Sequence, residues 1–191
     1  TPYNALKLGA PLTIKSECRK PNGYSFPKKN RVTYKFPGTA YTTSNLIWTW
    51  SDGHYPLDED NLILPNQDEL PMQGSMFIGE KGRLLLPHFM EAPRLIVDGN
   101  YKKIDTSKYS KAQKIGKPIR KYDIATKIHY HEFIDACLGK DKVSAPFSYS
   151  SRLTETILLG LIAGRFPNKI LHWDNINAKF KEDEANQYLS G

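Results

Sequence analysis

The chain has 191 residues, 39% hydrophobic and 25% charged, with 27 Lys and Arg against 20 Asp and Glu for a formal net charge of +7. That length suits one domain with a proper core, or at most two small ones, and one domain over residues 1–191 is expected. Cys18 and Cys137 are far apart and in no Cys-x-x-Cys arrangement, which excludes a zinc ribbon and a disulfide framework and reads as two buried free thiols.

In chain order, Tyr3 to Gly9 reads as the end of a helix stopped by Gly9 and Pro11. With no Met ahead of Thr1, residues 1–9 read as the tail of an element that starts in a longer protein. No signal peptide is visible. Leu12 to Cys18 and Arg31 to Phe36 alternate apolar and polar, as half-exposed antiparallel strands do, and Lys20 to Asn30 between them is a polar loop. Asn45 to Trp50 is a third strand, with Trp48 and Trp50 on one face, ending at Ser51-Asp52-Gly53. Tyr55 to Pro71 has no sustained period and reads as a long loop.

Met76 to Leu86 reads as a β-hairpin, with Gly82 left-handed in a connection of three or four residues. Arg94 to Val97 is a strand that Tyr101 to Ile104 can rejoin after a turn at Asp98-Gly99-Asn100. Ile128 to Leu138 is helical, with Phe133, Ile134, Cys137 and Leu138 inward and Gly139 as stop. From Ser150 a second helix is expected, capped by Ser150 or Ser151 and buried on most sides through Leu153, Ile157, Leu158, Leu161 and Ile162. Gly160 and Gly164 open its Leu153 face to a close neighbour. After Pro167 a strand runs to Trp173, and a short helix closes the chain near Glu182 to Leu189. Strands first and helices afterwards give an α+β class: an open, mostly antiparallel β-sheet with helices packed on one face.

The positive charge is local. Residues 100–121 hold eight Lys or Arg against Asp105 alone, in a segment of low hydrophobicity. Such an excess reads as a solvated basic connection rather than a nucleic-acid face. The apolar run near 153–164 falls far short of the roughly 20 residues that span a bilayer, so no membrane partner is expected either.

No Gly-x-Gly-x-x-Gly occurs, so the phosphate-cradling turn of a dinucleotide-binding domain is missing, and Glu80 stands where a P-loop needs Lys. His129 and His131, two apart on a helix, point about 200° away from each other and cannot share a metal ion. No metal site is expected. Trp50, Asp52, His54 and Tyr55 are the densest polar-aromatic stretch, at a strand end where an aromatic face beside hydrogen-bonding groups suits a sugar ring or polyol. The alternative is that Trp48 and Trp50 are core and Asp52-Gly53 only a turn.

Several blocks together resemble the C-terminal domain of the Gfo/Idh/MocA oxidoreductases, in particular the bacterial subgroup that acts on sugars. They are Tyr3 to Pro11, Phe36-Pro37-Gly38, Trp50-Ser51-Asp52-Gly53, Met76 to Gly82, His131 to Cys137, Leu153-Thr154-Glu155 with Leu158-Leu159-Gly160, Leu171-His172-Trp173-Asp174, and Ala185 to Leu189, in order across nearly the whole chain. The resemblance implies an open sheet with helices on one face, its other face serving substrate and sister subunits in a homo-oligomer. It also implies an N-terminal Rossmann domain that holds NAD(P), and a bacterial source, cytoplasmic or periplasmic. The family's catalytic Lys and Asp-x-x-x-His motifs have no counterpart here; the His-containing motif is expected just ahead of Thr1.

The resemblance therefore carries over no catalytic and no cofactor-binding residue, only a substrate-side wall at Trp50, Asp52 and His54. His54 stands where relatives commonly have a second Gly. The expected function is the substrate-binding and oligomerisation domain of an NAD(P)-dependent sugar or polyol oxidoreductase, catalytically incomplete by itself. Alternatives are the same domain of an NAD-dependent glycosidase, a basic binding module acting through residues 100–121, and a bare assembly platform.

Overall fold

Side-chain alternation fixes the largest sheet: every second residue of Ile14 to Ser16 and of Val32 to Phe36 is buried, and those between are half-exposed. The computed structural model describes residues 2–53, 60–88, 92–105 and 122–189. In chain order its strands are β1 (Thr13–Cys18), β2 (Asn30–Pro37), β3 (Asn45–Asp52), β4 (Gly74–Gly79), β5 (Gly82–Pro87), β6 (Arg94–Val97), β7 (Asn100–Lys102), β8 (Ile170–Asp174) and β9 (Lys179–Phe180). The helices are α1 (Pro2–Ala5), α2 (Tyr122–Cys137), α3 (Phe147–Ala163) and α4 (Asp183–Asn186). All strand pairings among these residues are antiparallel, giving the expected α+β fold with open sheets. Two compact units form, Thr1–Pro56 with Ala145–Gly191, and Leu57–Ser144.

The first unit is a five-stranded sheet ordered β3-β2-β1-β8-β9. Its inward residues Ile14, Val32, Tyr34, Phe36, Leu171, Trp173 and Phe180 form one core with Tyr3, Leu8, Leu159, Ala163 and Ala185. Phe36 is fully buried, between Tyr3 edge-on at 6.3 Å and Tyr34 stacked at 6.1 Å. Such burial contributes roughly 1.5–3 kcal/mol per large apolar side chain. One inward polar residue is satisfied within the sheet: buried Ser16 donates its Oγ–H to Asn30 Oδ1 at 2.7 Å.

α3 crosses this sheet with a face other than the one its periodicity predicts. Thr156, Leu159, Gly160 and Ala163 are the buried residues, whereas Ile157, Leu158 and Leu161 are 54%, 50% and 44% exposed. Small residues win because they bring the helix closer to the strands: a Cβ on Gly160 would lie 2.0 Å from the Tyr34 hydroxyl and 3.4 Å from Val32. The close neighbour of Gly160 is thus a buried phenol. Neither serine caps the helix. It begins after Pro146, and Ser150 and Ser151 donate to the carbonyls of Pro146 and Phe147 one turn back, at 3.2 and 2.6 Å.

The helix end at the start of the chain closes one turn before Gly9. Lys7 takes the left-handed conformation (φ 54°), and the N–H groups of Lys7 and Leu8 reach the carbonyls of Asn4 and Tyr3, a Schellman closure. At the far end of α3, Asn168 (φ 66°) turns the chain, donates to the Ser16 carbonyl at 2.8 Å and delivers β8 beside β1.

The second unit holds a four-stranded meander, β4-β5-β6-β7, around Leu64, Leu85 and Ile96. Its hairpin turn is shorter than expected: Gly79 pairs with Gly82, so only Glu80 and Lys81 lie between, with Gly82 at φ 142°. The Tyr55–Pro71 loop contains 3-10 turns at Asp60–Leu62 and Pro65–Gln67. α2 starts earlier than expected, and Phe133, Ile134, Cys137 and Leu138 are exposed rather than inward. Periodicity marks an apolar face without supplying what packs on it. Cys18 is half-buried and Cys137 exposed, so the thiols are not the buried pair expected from composition. Of the basic connection, residues 106–121 lie outside the described residues.

Candidate functional site: the open face and the Trp50 edge

The face of the first sheet opposite α3 is polar and ordered in cross-strand rows. Register places Ile47, Lys35, Thr13 and His172 in one row, Thr49, Thr33, Lys15 and Ile170 in the next, and Ser51, Arg31 and Glu17 in the third. Glu17 joins the cations: its carboxylate accepts from Lys15 Nζ at 3.2 Å and lies 4.0 Å from the Arg31 guanidinium. Threonine hydroxyls fill the middle, and Ile47 and Ile170 are more than half exposed at either side. Hydroxyls, paired charges and exposed aliphatics thus interleave across this face.

Trp50 and Asp52 lie elsewhere. Strand parity puts Trp48, Trp50 and Asp52 on the α3 side of the sheet. Trp48 packs into the core against Phe36, with ring centroids 6.1 Å apart. Trp50, one pair further along, is 58% exposed. The core reading therefore holds for Trp48 alone. Asp52 is exposed and accepts from the Gly53 N–H at 2.8 Å through Oδ1. The structure thus brings Trp50 and Asp52 together at one strand end, while His54 lies outside the described residues.

One neighbour of this edge went unread in the sequence, the β1–β2 loop. A Cβ on Gly53 would sit 1.4 Å from the Lys28 carbonyl oxygen, and Asn30 pairs with Asp52, so the loop's return strand is packed directly against the Asp52–Gly53 turn. Gly53 at φ +64° is therefore required twice, by backbone conformation and by space. The signal was present in the Gly that follows Asp52, but nothing in the sequence names the loop it touches.

A second cluster borders the open face at β8. His172 Nδ1 lies 2.8 Å from Glu182 Oε1, and Glu182 Oε2 accepts the His172 backbone N–H at 2.8 Å, clamping the β9–α4 connection to β8. Burial pushes the Glu182 carboxyl up, but the hydrogen bonds from the His172 ring and backbone outweigh it and hold it below the ordinary glutamate value of 4.5. Asp174 is also held low, by Asn177 side-chain and backbone donors in the β8–β9 turn. A carboxyl whose folded pKa is depressed contributes stability that is present above its unfolded pKa and lost as pH falls through the folded value. Glu182→Gln should therefore flatten part of the decline in urea midpoint between pH 5 and about pH 3. Parallel declines in both proteins would show that the clamp carries no linked proton.

On the opposite side of the sheet, Phe147, Leu158, Leu161, Trp173, Tyr188 and Leu189 line an apolar groove of about 580 Å³. Glu155 is held at its edge, accepting from Trp173 Nε1 at 3.1 Å and Arg152 Nη1 at 3.0 Å. Among the described residues no group of three His, Cys, Asp or Glu is placed to hold a metal ion, and no helix is long and apolar enough to cross a membrane. Compared with known proteins, the chain matches no family model and no curated sequence significantly.

Proposed function

We propose that this chain is the substrate-binding and oligomerisation domain of an NAD(P)-dependent sugar or polyol oxidoreductase of the Gfo/Idh/MocA kind. The observation that carries the reading is the one-sided sheet: α3 and the core cover one face, while on the other Thr49 is exposed and Thr13 and Thr33 are half-exposed. The sequence blocks that resemble the family support the same assignment. In this reading the two surfaces divide the work. The open face joins sister subunits, and the edge at Trp50 and Asp52 holds the sugar, the indole stacking on its C–H face while the carboxylate accepts hydroxyl protons. The residues here do not suit the dinucleotide. The described strands pair antiparallel throughout and form no strand–helix–strand unit with a Gly-rich turn, so the reading assigns the nicotinamide to a separate domain.

The test is nicotinamide reduction by the full-length protein that carries this chain, assayed with a panel of aldoses, sugar acids and polyols and both NAD and NADP. At least one substrate should give net NAD(P)H, and Trp50→Ala should lower kcat/KM about tenfold or more, mainly through KM, in keeping with loss of an aromatic anchor. No nicotinamide reduction with any of them, or glycoside cleavage without net NAD(P)H, contradicts the oxidoreductase assignment. An unaffected Trp50→Ala enzyme contradicts the placement of the sugar.

A further inference from the structure

The backbone of the β1–β2 loop, residues 19–29, is tied by its own side chains while two of its aromatic rings stay exposed. Arg19 lies along it and donates to the Lys20, Ser25 and Phe26 carbonyls at 2.9, 2.8 and 3.1 Å and to Ser25 Oγ at 2.9 Å. Asn22 Oδ1 accepts from the N–H groups of Tyr24 and Ser25, both at 3.1 Å, with Gly23 at φ +79° completing the bend. The Gly53 contact fixes the return strand. On this frame Tyr24 is 95% exposed and Phe26 66% exposed. Neither belongs to a core cluster.

The loop's charge is one-sided. Residues 19–30 contain Arg19, Lys20, Lys28 and Lys29 and no acid. Arg19 is engaged by the loop's own carbonyls. The ammonium groups of Lys20, Lys28 and Lys29 make no hydrogen bond or ion pair among the described residues. Two exposed rings and three cations without a partner among the described residues therefore share one loop, whose return strand at Lys28 and Lys29 packs against Gly53 beside Asp52. With a sugar at the Trp50 edge, that positive charge favours an anionic saccharide over a neutral one. A loop backbone already tied by Arg19 and Asn22 loses little further freedom on contact, which is where a preformed loop gains affinity.

We propose that this loop is a docking element for an anionic saccharide, specifically an oligosaccharide carrying uronate carboxylates. Tyr24 and Phe26 stack on the sugar rings, and Lys28 and Lys29 pair with their carboxylates. The inference rests on the sugar reading above and narrows its substrate class.

The probe is oligogalacturonate titrated into the protein by calorimetry at two salt concentrations, with a neutral gluco-oligosaccharide of equal length and a single-stranded oligonucleotide as comparators. The expected order is oligogalacturonate tightest, with binding that weakens as salt rises. Tyr24→Ala and Phe26→Ala should each weaken it about tenfold. Lys28→Ala with Lys29→Ala should remove most of the salt dependence, and circular dichroism should be unchanged because these side chains pack on no core. Equal binding of the neutral oligosaccharide, tighter binding of the oligonucleotide, no binding, or indifference to the ring substitutions overturns the proposal. The two readings separate cleanly: turnover of neutral sugars without uronate preference sinks the loop proposal alone. Ring-dependent uronate binding by a protein that never reduces NAD(P) sinks the oxidoreductase assignment alone.

Discussion

Gly160→Ala is expected to destabilise the first unit by about 2–3 kcal/mol, although the same change in an exposed helix stabilises by about 1 kcal/mol. The added methyl would lie 2.0 Å from the Tyr34 hydroxyl, well inside contact distance. Tyr34 cannot swing aside, because its ring is buried and stacked on Phe36. Burial also pushes its pKa up to about 12, so the group met is a neutral phenol throughout the ordinary pH range. The remedy identifies the cause. Tyr34→Phe removes the oxygen and leaves the ring carbon 3.1 Å from the new methyl, a distance that a shift of a few tenths of an ångström relieves. The double variant should therefore recover more than half of the loss by thermal or urea denaturation, a coupling that two independent sites would not show. A stable Gly160→Ala protein would mean that α3 does not ride this close to β2.

Gly53→Ala should have an effect of similar size by a different route. A left-handed conformation costs a non-glycine residue about 1–2 kcal/mol, and the new Cβ would overlap the Lys28 carbonyl oxygen at 1.4 Å. Backbone cannot yield as a side-chain tip can, so the β1–β2 loop must detach from the β3 end. The expected result is a loss of about 2–4 kcal/mol and tryptic cleavage after Lys28 or Lys29 at least tenfold faster than in the parent protein. Gly53→Asn, which tolerates the left-handed region but carries the same Cβ, should be no better. Rescue by Asn would show that conformation alone, rather than the loop contact, demands glycine.

The sheet strands were legible because β1 and β2 bury one face each, and that alternation writes itself into Ile14, Val32, Tyr34 and Phe36. The helices were less so, for a definable reason. In α3 the most hydrophobic stripe and the buried stripe differ, since closeness to Tyr34 and Val32 favours Gly160 and Ala163 over Ile157 and Leu161. Hydrophobicity cannot report that choice, because the deciding quantity is side-chain volume. Lys7 shows the same limit at the chain's start: its φ of 54° follows from the Schellman bonds, while the nearby Gly9 looked the better stop. At the candidate site, the sequence placed Trp50 and Asp52 at a strand end and raised the core alternative. The register leaves both on one face, and only the packing around them divides the alternative between Trp48, which lies against Phe36, and Trp50, which is exposed. The loop packed on Gly53 is a contact between residues about 25 apart, a separation at which no local pattern gives a signal.

The most direct test of the central claim is nuclear magnetic resonance of the isotope-labelled chain titrated with millimolar sugars, sugar acids and polyols. The Trp50 indole N–H and the Asp52 and Gly53 amides should shift with saturable, ligand-dependent curves, while Leu158, Leu161 and Tyr188 in the apolar groove stay unmoved. Shifts confined to that groove, or none anywhere on the first sheet with any ligand of the panel, would contradict a sugar-binding role for this domain.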